Sequence, residues 1–476
     1  MSEGSGLGRR ELGIIGCALG VMLLTGMVVC AGAFAALLGV YSFAEQSSVA
    51  QMAATAKPQP SIVLLTPEIT PSPTIPPPPT STPFPTDTPL PTPTVEPTAP
   101  PPTDTPLPPT DTPLPPNPPP AAHQSNPLRM NSPEYGMQAF LWWRPETADR
   151  DLKLIRDAGF GWVKQVFSWR EIEGAAKGHL DWSYSDRIVD QVEQHGLNLI
   201  ARIDSQPQWA GGGYPENGPP DNLQDFADFL YTFVSRYKGR IRAYQVWNEP
   251  NLNVPGRSEW GGRPPNPAEY TEMLKVAYQA IKSADPNAMV ISAGLSPTSR
   301  WDNVAMPDEE FLKGMYASGA KPYFDVLGAH GAGYKVPPET DPSVVANDPV
   351  LHNYDPSPPE RKRIYCFRHV EDLRRIMVEN GDADKQIILL EFGWTSDPRP
   401  DSPYAWHAVS EREKADYLVR AYQYAKQNWA PWMGVMSLIY VCNPDWREDR
   451  EEFWWSITTY QGWPQHAYYA LQEMPK

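Results

Sequence analysis

Three regimes of hydrophobic patterning follow one another along the chain. Residues 12–43, LGIIGCALGVMLLTGMVVCAGAFAALLGVYSF, hold no charged side chain. About 20 apolar residues are enough for a helix to cross the hydrocarbon core of a bilayer, and this run is longer. Residues 44–124 have no hydrophobic period. Beyond residue 125, short apolar runs alternate with stretches whose apolar residues recur at three and four positions, as at Phe226, Phe229, Leu230 and Phe233. The runs predict strands over 135–141, 162–169, 197–204, 241–248, 289–295, 324–330, 386–392 and 434–441. The amphipathic stretches predict helices that include 184–195, 223–237, 267–283, 363–380 and 411–429.

Runs such as Ile387-Ile388-Leu389-Leu390 lack polar alternation, the mark of a strand covered on both faces in a parallel sheet. Eight strand–helix units within residues 125–476 are the arithmetic of an α/β fold of the (β/α)8 TIM barrel type. The rival is a doubly wound open sheet. That architecture usually carries a glycine-rich phosphate turn after its first strand, and none occurs here.

Composition separates the first 120 residues from the rest. Of 57 prolines, 27 lie between Pro58 and Pro120, and Thr-Asp-Thr-Pro-Leu-Pro occurs three times, from Thr86, Thr103 and Thr110. Proline removes backbone donors and holds the chain extended, so 44–124 reads as a disordered Pro/Thr-rich spacer. In the polyproline conformation its proline-rich part, residues 57–120, reaches at most roughly 200 Å. Arg9 and Arg10 precede the apolar run, which places residues 1–11 in the cytoplasm by the positive-inside rule. The competing reading is a cleaved signal peptide, whose apolar core is ordinarily about 7–15 residues long. The expectation is a single-pass anchor at 12–43 that displays an extracellular domain on the cell membrane.

Past residue 120 the chain holds 37 Lys/Arg against 48 Asp/Glu, a charge of about −11. Such a surface repels a phosphate backbone, which argues against a nucleic-acid partner. No Gly-x-x-x-x-Gly-Lys-Ser/Thr or Gly-x-Ser-x-Gly occurs, so nucleotide hydrolysis and serine-esterase chemistry have no support. None of the eight histidines is two residues from another, and no metal or other cofactor is expected. His195, beside Gly196 at a predicted helix end, reads as a helix C-terminal partner rather than a ligand. Only four cysteines are present, too few for a disulfide-dense scaffold. Cys366 and Cys442 could pair or remain free thiols.

The active site of a (β/α)8 barrel sits at the C-terminal ends of its strands. The fourth predicted strand ends in Trp247-Asn248-Glu249-Pro250-Asn251, and the seventh in Leu390-Glu391-Phe392-Gly393-Trp394. An unpaired buried carboxylate is costly, so a glutamate in either place needs a partner or a task. Placed on opposite sides of eight strands, Glu249 and Glu391 would face each other across the mouth. Two facing carboxyl groups, one protonated and one ionised, are what glycoside hydrolysis requires.

These two motifs, with Gln206-Pro207-Gln208-Trp209-Ala210 after the third strand, resemble the clan A glycoside hydrolases, the retaining barrels with catalytic residues on strands four and seven. Trp-Asn-Glu-Pro-Asn looks most like family 39, and the general pattern also resembles family 5. The resemblance covers residues 130–470 and implies Glu249 as acid/base and Glu391 as nucleophile. It further implies that Asn248 contacts the sugar 2-hydroxyl and that His330 and Tyr334 orient the nucleophile. Two features depart from it. Many members carry an arginine within strand two, where this chain has Lys164 with Arg170 just beyond; many carry a tryptophan at the end of strand eight, where this chain has Tyr440-Val441-Cys442-Asn443.

All 17 tryptophans lie after residue 140. Trp142, Trp143, Trp209, Trp260 and Trp394 follow strand ends and are candidate sugar platforms, Trp209 and Trp394 foremost; Trp182, Trp429 and Trp432 read as packing residues. The long loops 253–265 and 335–362 would either wall a groove for a polymer or close a pocket around a chain end. The expected function is a retaining, surface-displayed hydrolase of O-glycosidic bonds in an oligo- or polysaccharide. The alternatives are a non-catalytic carbohydrate sensor on the same fold and a transglycosidase.

Overall fold

The computed structural model describes residues 128–142 and 144–476. The expected cytoplasmic segment, anchor and spacer, and Trp143, lie outside the described residues. Among those described, no helix is long and apolar enough to cross a membrane.

Eight parallel strands close into a barrel: β1 (Glu134–Gln138), β2 (Trp162–Ser168), β3 (Asn198–Asp204), β4 (Ala243–Val246), β5 (Met289–Ile291), β6 (Val326–Ala332), β7 (Gln386–Gly393) and β8 (Met433–Leu438). Each pairs with its chain neighbours, and β8 closes onto β1 through Glu134 opposite Val435. A two-residue hairpin, Asn253–Val254 with Arg257–Ser258, rises from the loop after β4.

Strand alternation sorts the side chains. Trp162, Ile200, Ala243, Ile291, Val326, Ile388 and Val435 fill the lower barrel. Met130 packs with them from the floor, its backbone held by the Gln386 side chain at 2.8 Å and 3.0 Å. Two residues further along, the inward positions of β2, β3 and β4 become Lys164, Arg202 and Gln245. The barrel is therefore apolar below and polar at its mouth.

Helices surround the sheet with their apolar stripes inward, as with Phe226, Phe229, Leu230 and Phe233 on Leu223–Arg236. Asn222, Asn266 and Ser410 cap the helices that follow them, Ser410 in a full capping box with Glu413. One predicted helix, 363–380, is shorter than expected. Pro359–Ile364 and Phe367–His369 are 3-10 turns, and the α-helix spans only Val370–Glu379. Between the turns Cys366 is extended (φ −154°) and buries its thiol against Val336 and Val345, a contact that an unbroken helix would not make. Cys366 and Cys442 are both free and buried. Burial raises both thiols, Cys366 to about 12 and Cys442 to about 11.

Candidate active site

β4 stops two residues short of its predicted end because the backbone beyond it turns. Trp247 and Glu249 take φ values of 69° and 38°, left-handed conformations that cost a non-glycine residue roughly 1–2 kcal/mol. Three hydrogen bonds hold the turn. Trp247 Nε1 donates to the Glu259 carbonyl at 2.7 Å, Gln245 Nε2 to the Trp247 carbonyl at 2.8 Å, and Glu249 N to the Gly294 carbonyl at 3.0 Å. The turn places Glu249 Oε1 2.8 Å from His330 Nδ1. Gly294 makes this approach feasible, since a Cβ there would lie 2.2 Å from His330 Nε2.

On the other side, β7 contains an extra residue. Ala329 pairs with Leu389, but His330 pairs with Glu391, so Leu390 is bulged out of the β6–β7 ladder. Leu390 packs inside the barrel, and strict alternation would turn its successor outward. The bulge turns Glu391 to the mouth instead. Glu391 Oε1 lies 2.7 Å from Lys164 Nζ and 3.8 Å from Arg202 Nη1, while Oε2 lies 3.9 Å from His330 Nδ1. His330 Nδ1 thus stands between the carboxyls. Glu249 Oε1 and Glu391 Oε2 are at most 6.7 Å apart, the 2.8 Å and 3.9 Å distances laid end to end.

Burial opposes ionisation of Glu391, but Lys164, His330 and Arg202 outweigh it and hold the carboxyl well below the usual carboxylate range. Arg202 serves three carboxylates at once: Asp204 through Nε, Glu259 at 3.7 Å and Glu391 at 3.8 Å. Burial, against the pull of Arg202, raises the Glu259 carboxyl, with Asp204 adding to the rise. The arrangement provides a pinned anionic carboxylate facing a second carboxyl that shares a histidine. Such a pair can attack an electrophilic carbon from one side and move a proton on the other.

The profile of the cellulase family, glycosyl hydrolase family 5, matches residues 124–435. The chain belongs to this family. Among solved structures the family 5 barrel is similar to a family 39 glycoside hydrolase from the gut symbiont Bacteroides cellulosilyticus WH2, with 19% identity, a TM-score of 0.51, and coverage of 73% of this chain and 64% of that one. It is also similar to GH5_18 from Streptomyces cattleya, with 12% identity, a TM-score of 0.52, and coverage of 72% and 80%. Both likenesses concern the fold. A β-xylosidase of Geobacillus stearothermophilus is 28% identical over 163 residues, 29% of this chain and 31% of that protein. Endo-1,4-beta-xylanase 3 of Hypocrea jecorina is 28% identical over 138 residues, 28% of this chain and 37% of that protein. The alignments thus span about a third of the length of these two relatives.

The family 5 barrel brings some expected side chains together and leaves others out. Glu249, His330, Tyr334 and Glu391 line one cavity of about 340 Å³ at the strand ends. Asn248 stands beside it, oriented by Gln245 Nε2 at 3.2 Å, with its own Nδ2 3.5 Å from Glu259. Trp394 corrects an expectation. It is fully buried, packs on Phe367 and Tyr417, and donates to the Val336 carbonyl at 3.0 Å, so it is core and offers no face to a sugar. Trp260 is likewise fully buried against Tyr270. Trp209 packs edge-on to Trp169 and donates to the Glu173 carbonyl at 2.6 Å, outside this cavity. Trp142 stacks on Tyr184 and lines a separate 250 Å³ cavity with Phe140 and Gln165. At the end of β8, Tyr440 lines the cavity and contacts Phe140 and Trp446.

Lys164 fills the strand-two position that departed from the expected arginine, while Arg170 turns away to Pro215 and Asn217. Arg202 and Glu259 escaped the sequence reading. A signal existed for Arg202: a cation in the apolar run Leu199–Ile203 has no reason to be there unless something opposes it. A larger cavity of about 630 Å³ lies at the barrel floor around Arg129, Phe324 and Gln386, the face that serves stability rather than chemistry. Among the described residues, Glu309, His369 and Asp372 bring ligand-type atoms within 4.8 Å of one another. Arg363 forks onto Asp372 at 2.9 Å through both nitrogens and His369 Nε2 sits 2.8 Å from Asp308, so two of the three already have protein partners.

Proposed function

We propose that the protein is a retaining glycoside hydrolase in which Glu391 is the nucleophile and Glu249 the acid/base. The observation that carries the reading is the pinning of Glu391 by Lys164 and Arg202, with Glu249 no more than 6.7 Å away across His330. Retention needs carboxyls about 5–5.5 Å apart and inversion about 6.5–9.5 Å to admit a water, so the bound leaves only the lower edge of the inverting range. Glu391 attacks the anomeric carbon as Glu249 protonates the departing oxygen. A water that loses its proton to Glu249 then releases the sugar from Glu391. Asn248, held by Gln245, is placed to hydrogen-bond the 2-hydroxyl as charge builds on the ring.

The names of the relatives favour a β-linked glycan, with β-xylosides as the first class to try and β-galactosides the second. The apolar stretch 12–43 and the proline-rich spacer support display on the outer face of the membrane. The reading is tested by treating the protein with 2-deoxy-2-fluoro β-glycosides and recording intact mass. A stable glycosyl adduct on Glu391 supports it. Turnover with inverted anomeric configuration contradicts it. For the display, the full chain should require detergent for extraction from membranes; recovery in the buffer-soluble fraction would oppose an anchor.

A further inference from the structure

The loops above the carboxyl pair bear on which part of a glycan can reach it. In barrel order β4 and β8 are diametrically opposed, each four strands from the other. Yet Arg257, on the hairpin after β4, reaches Glu451, on the short helix Glu451–Trp455 after β8, at 3.8 Å. The two loops therefore meet across the mouth. Glu451 also lines the 340 Å³ cavity that holds both catalytic-type carboxyls, a volume near the lower end of the about 300–1,000 Å³ typical of small-molecule pockets. A polymer lying across the barrel needs an open trough on both sides of the pair, and this contact interrupts it.

The obstruction is on the side of Glu391. Tyr404, Glu451 and Trp455 come from the loops after β7 and β8, and all three line the cavity. Glu451 is a wall with chemistry of its own. Its Oε2 has no hydrogen-bond partner although the atom is buried, and its one ion pair is long, with an arginine 72% exposed. Burial and the adjacent Glu452 raise its carboxyl, against Tyr404 and Arg257. A carboxyl that lines the cavity is an acceptor for neighbouring ring hydroxyls, which supply two donors in a fixed spacing. Lys414, itself fully buried, fixes this wall by donating to the Trp454 and Ser456 carbonyls at 3.1 Å and 3.0 Å.

We propose that the site is a pocket for the non-reducing end of a neutral glycan, with Glu451 binding hydroxyls of the terminal sugar and the Arg257–Glu451 contact closing the way to longer chains on that side. The protein then acts from chain ends rather than within chains. The inference rests on the glycosidase reading and deepens it.

The test uses the full chain with four probes: nitrophenyl β-xyloside, β-xylobioside, β-glucoside and β-cellobioside. Wild type should release nitrophenol directly from the monosides, and should free a single sugar first from the biosides. Glu451→Gln should raise KM on the monosides about tenfold, the loss of one hydrogen bond to a charged group, with kcat little changed. Arg257→Ala, at an exposed position that folding tolerates, should raise the bioside-to-monoside ratio of kcat/KM about tenfold. Release of the intact disaccharide as first product by wild type overturns the chain-end proposal alone, as does an unchanged ratio in Arg257→Ala. No turnover on any probe, joined to no fluoroglycoside adduct, overturns the glycosidase reading itself.

Discussion

Lys164 is fully buried, and its ammonium meets Glu391 at 2.7 Å and the Leu390 carbonyl at 3.3 Å. A cation so placed favours the charged form of its neighbour, by about 1–3 pKa units for a carboxyl beside one cation. Removing it raises the nucleophile's pKa, so Lys164→Gln should shift the acid limb of kcat/KM upward by about one pH unit or more. A pH–rate profile superimposable on wild type would show that Arg202 and His330 suffice. Glu249→Gln should cost about 10²–10⁴-fold in kcat/KM, which reports the first step alone, on a glycoside with a poor leaving group, and less on a nitrophenyl glycoside, which needs little protonation. Equal losses on both would place Glu249 outside proton transfer. At this scale the two glutamates were legible in the sequence, because a carboxyl at the end of an apolar strand is anomalous. Arg202 and Glu259 were not, because Arg202 sits within an apolar strand and Glu259 in a loop, on stretches of chain far from Glu391 in sequence.

Helix Asp308–Ala317 and the segment leading into Val370–Glu379 are joined by His369 Nε2 and Asp308 Oδ2 at 2.8 Å. Burial disfavours the imidazolium, but Asp308 outweighs it and raises His369 to about 10. A raised folded-state pKa gives stabilisation that is complete below the ordinary histidine value of about 6.5 and is lost as pH climbs through about 10. His369→Gln should therefore lower stability most near pH 6, by about 3 kcal/mol, and progressively less towards pH 10. Thermal melts at both pH values check this; an equal loss at both would assign the effect to packing. Helix and strand boundaries in the sequence came from periodicity, and most observed elements lie within a few residues of it. The exception at 363–369 arose because Cys366 and His369 are drawn to partners on other elements, which no local period encodes.

The barrel as a whole is sealed below by Met130, which packs against Trp162, Ile291 and Val435. Met130→Ala opens a void among close-packed groups and should cost about 2–5 kcal/mol in global stability, read from denaturant unfolding. Because the void lies at the floor, kcat should be unchanged where the protein stays folded. A fall in kcat without loss of stability would mean that floor and mouth are coupled.

The chain's own order of residues determined the eight repeats, the division between proline-rich and globular parts, and the strands on which Glu249 and Glu391 stand. These follow from composition and from periods of two and 3.6, which are local properties of a polymer. Tertiary structure alone decided which way Glu391 points, since a single bulged residue at Leu390 reverses its face. It decided that Trp394 is core, because helices pack over it, and that the loops after β4 and β8 meet over the carboxyls. Burial and long-range contact depend on what closes around a residue, and that is set by the folded chain rather than by its neighbours in sequence.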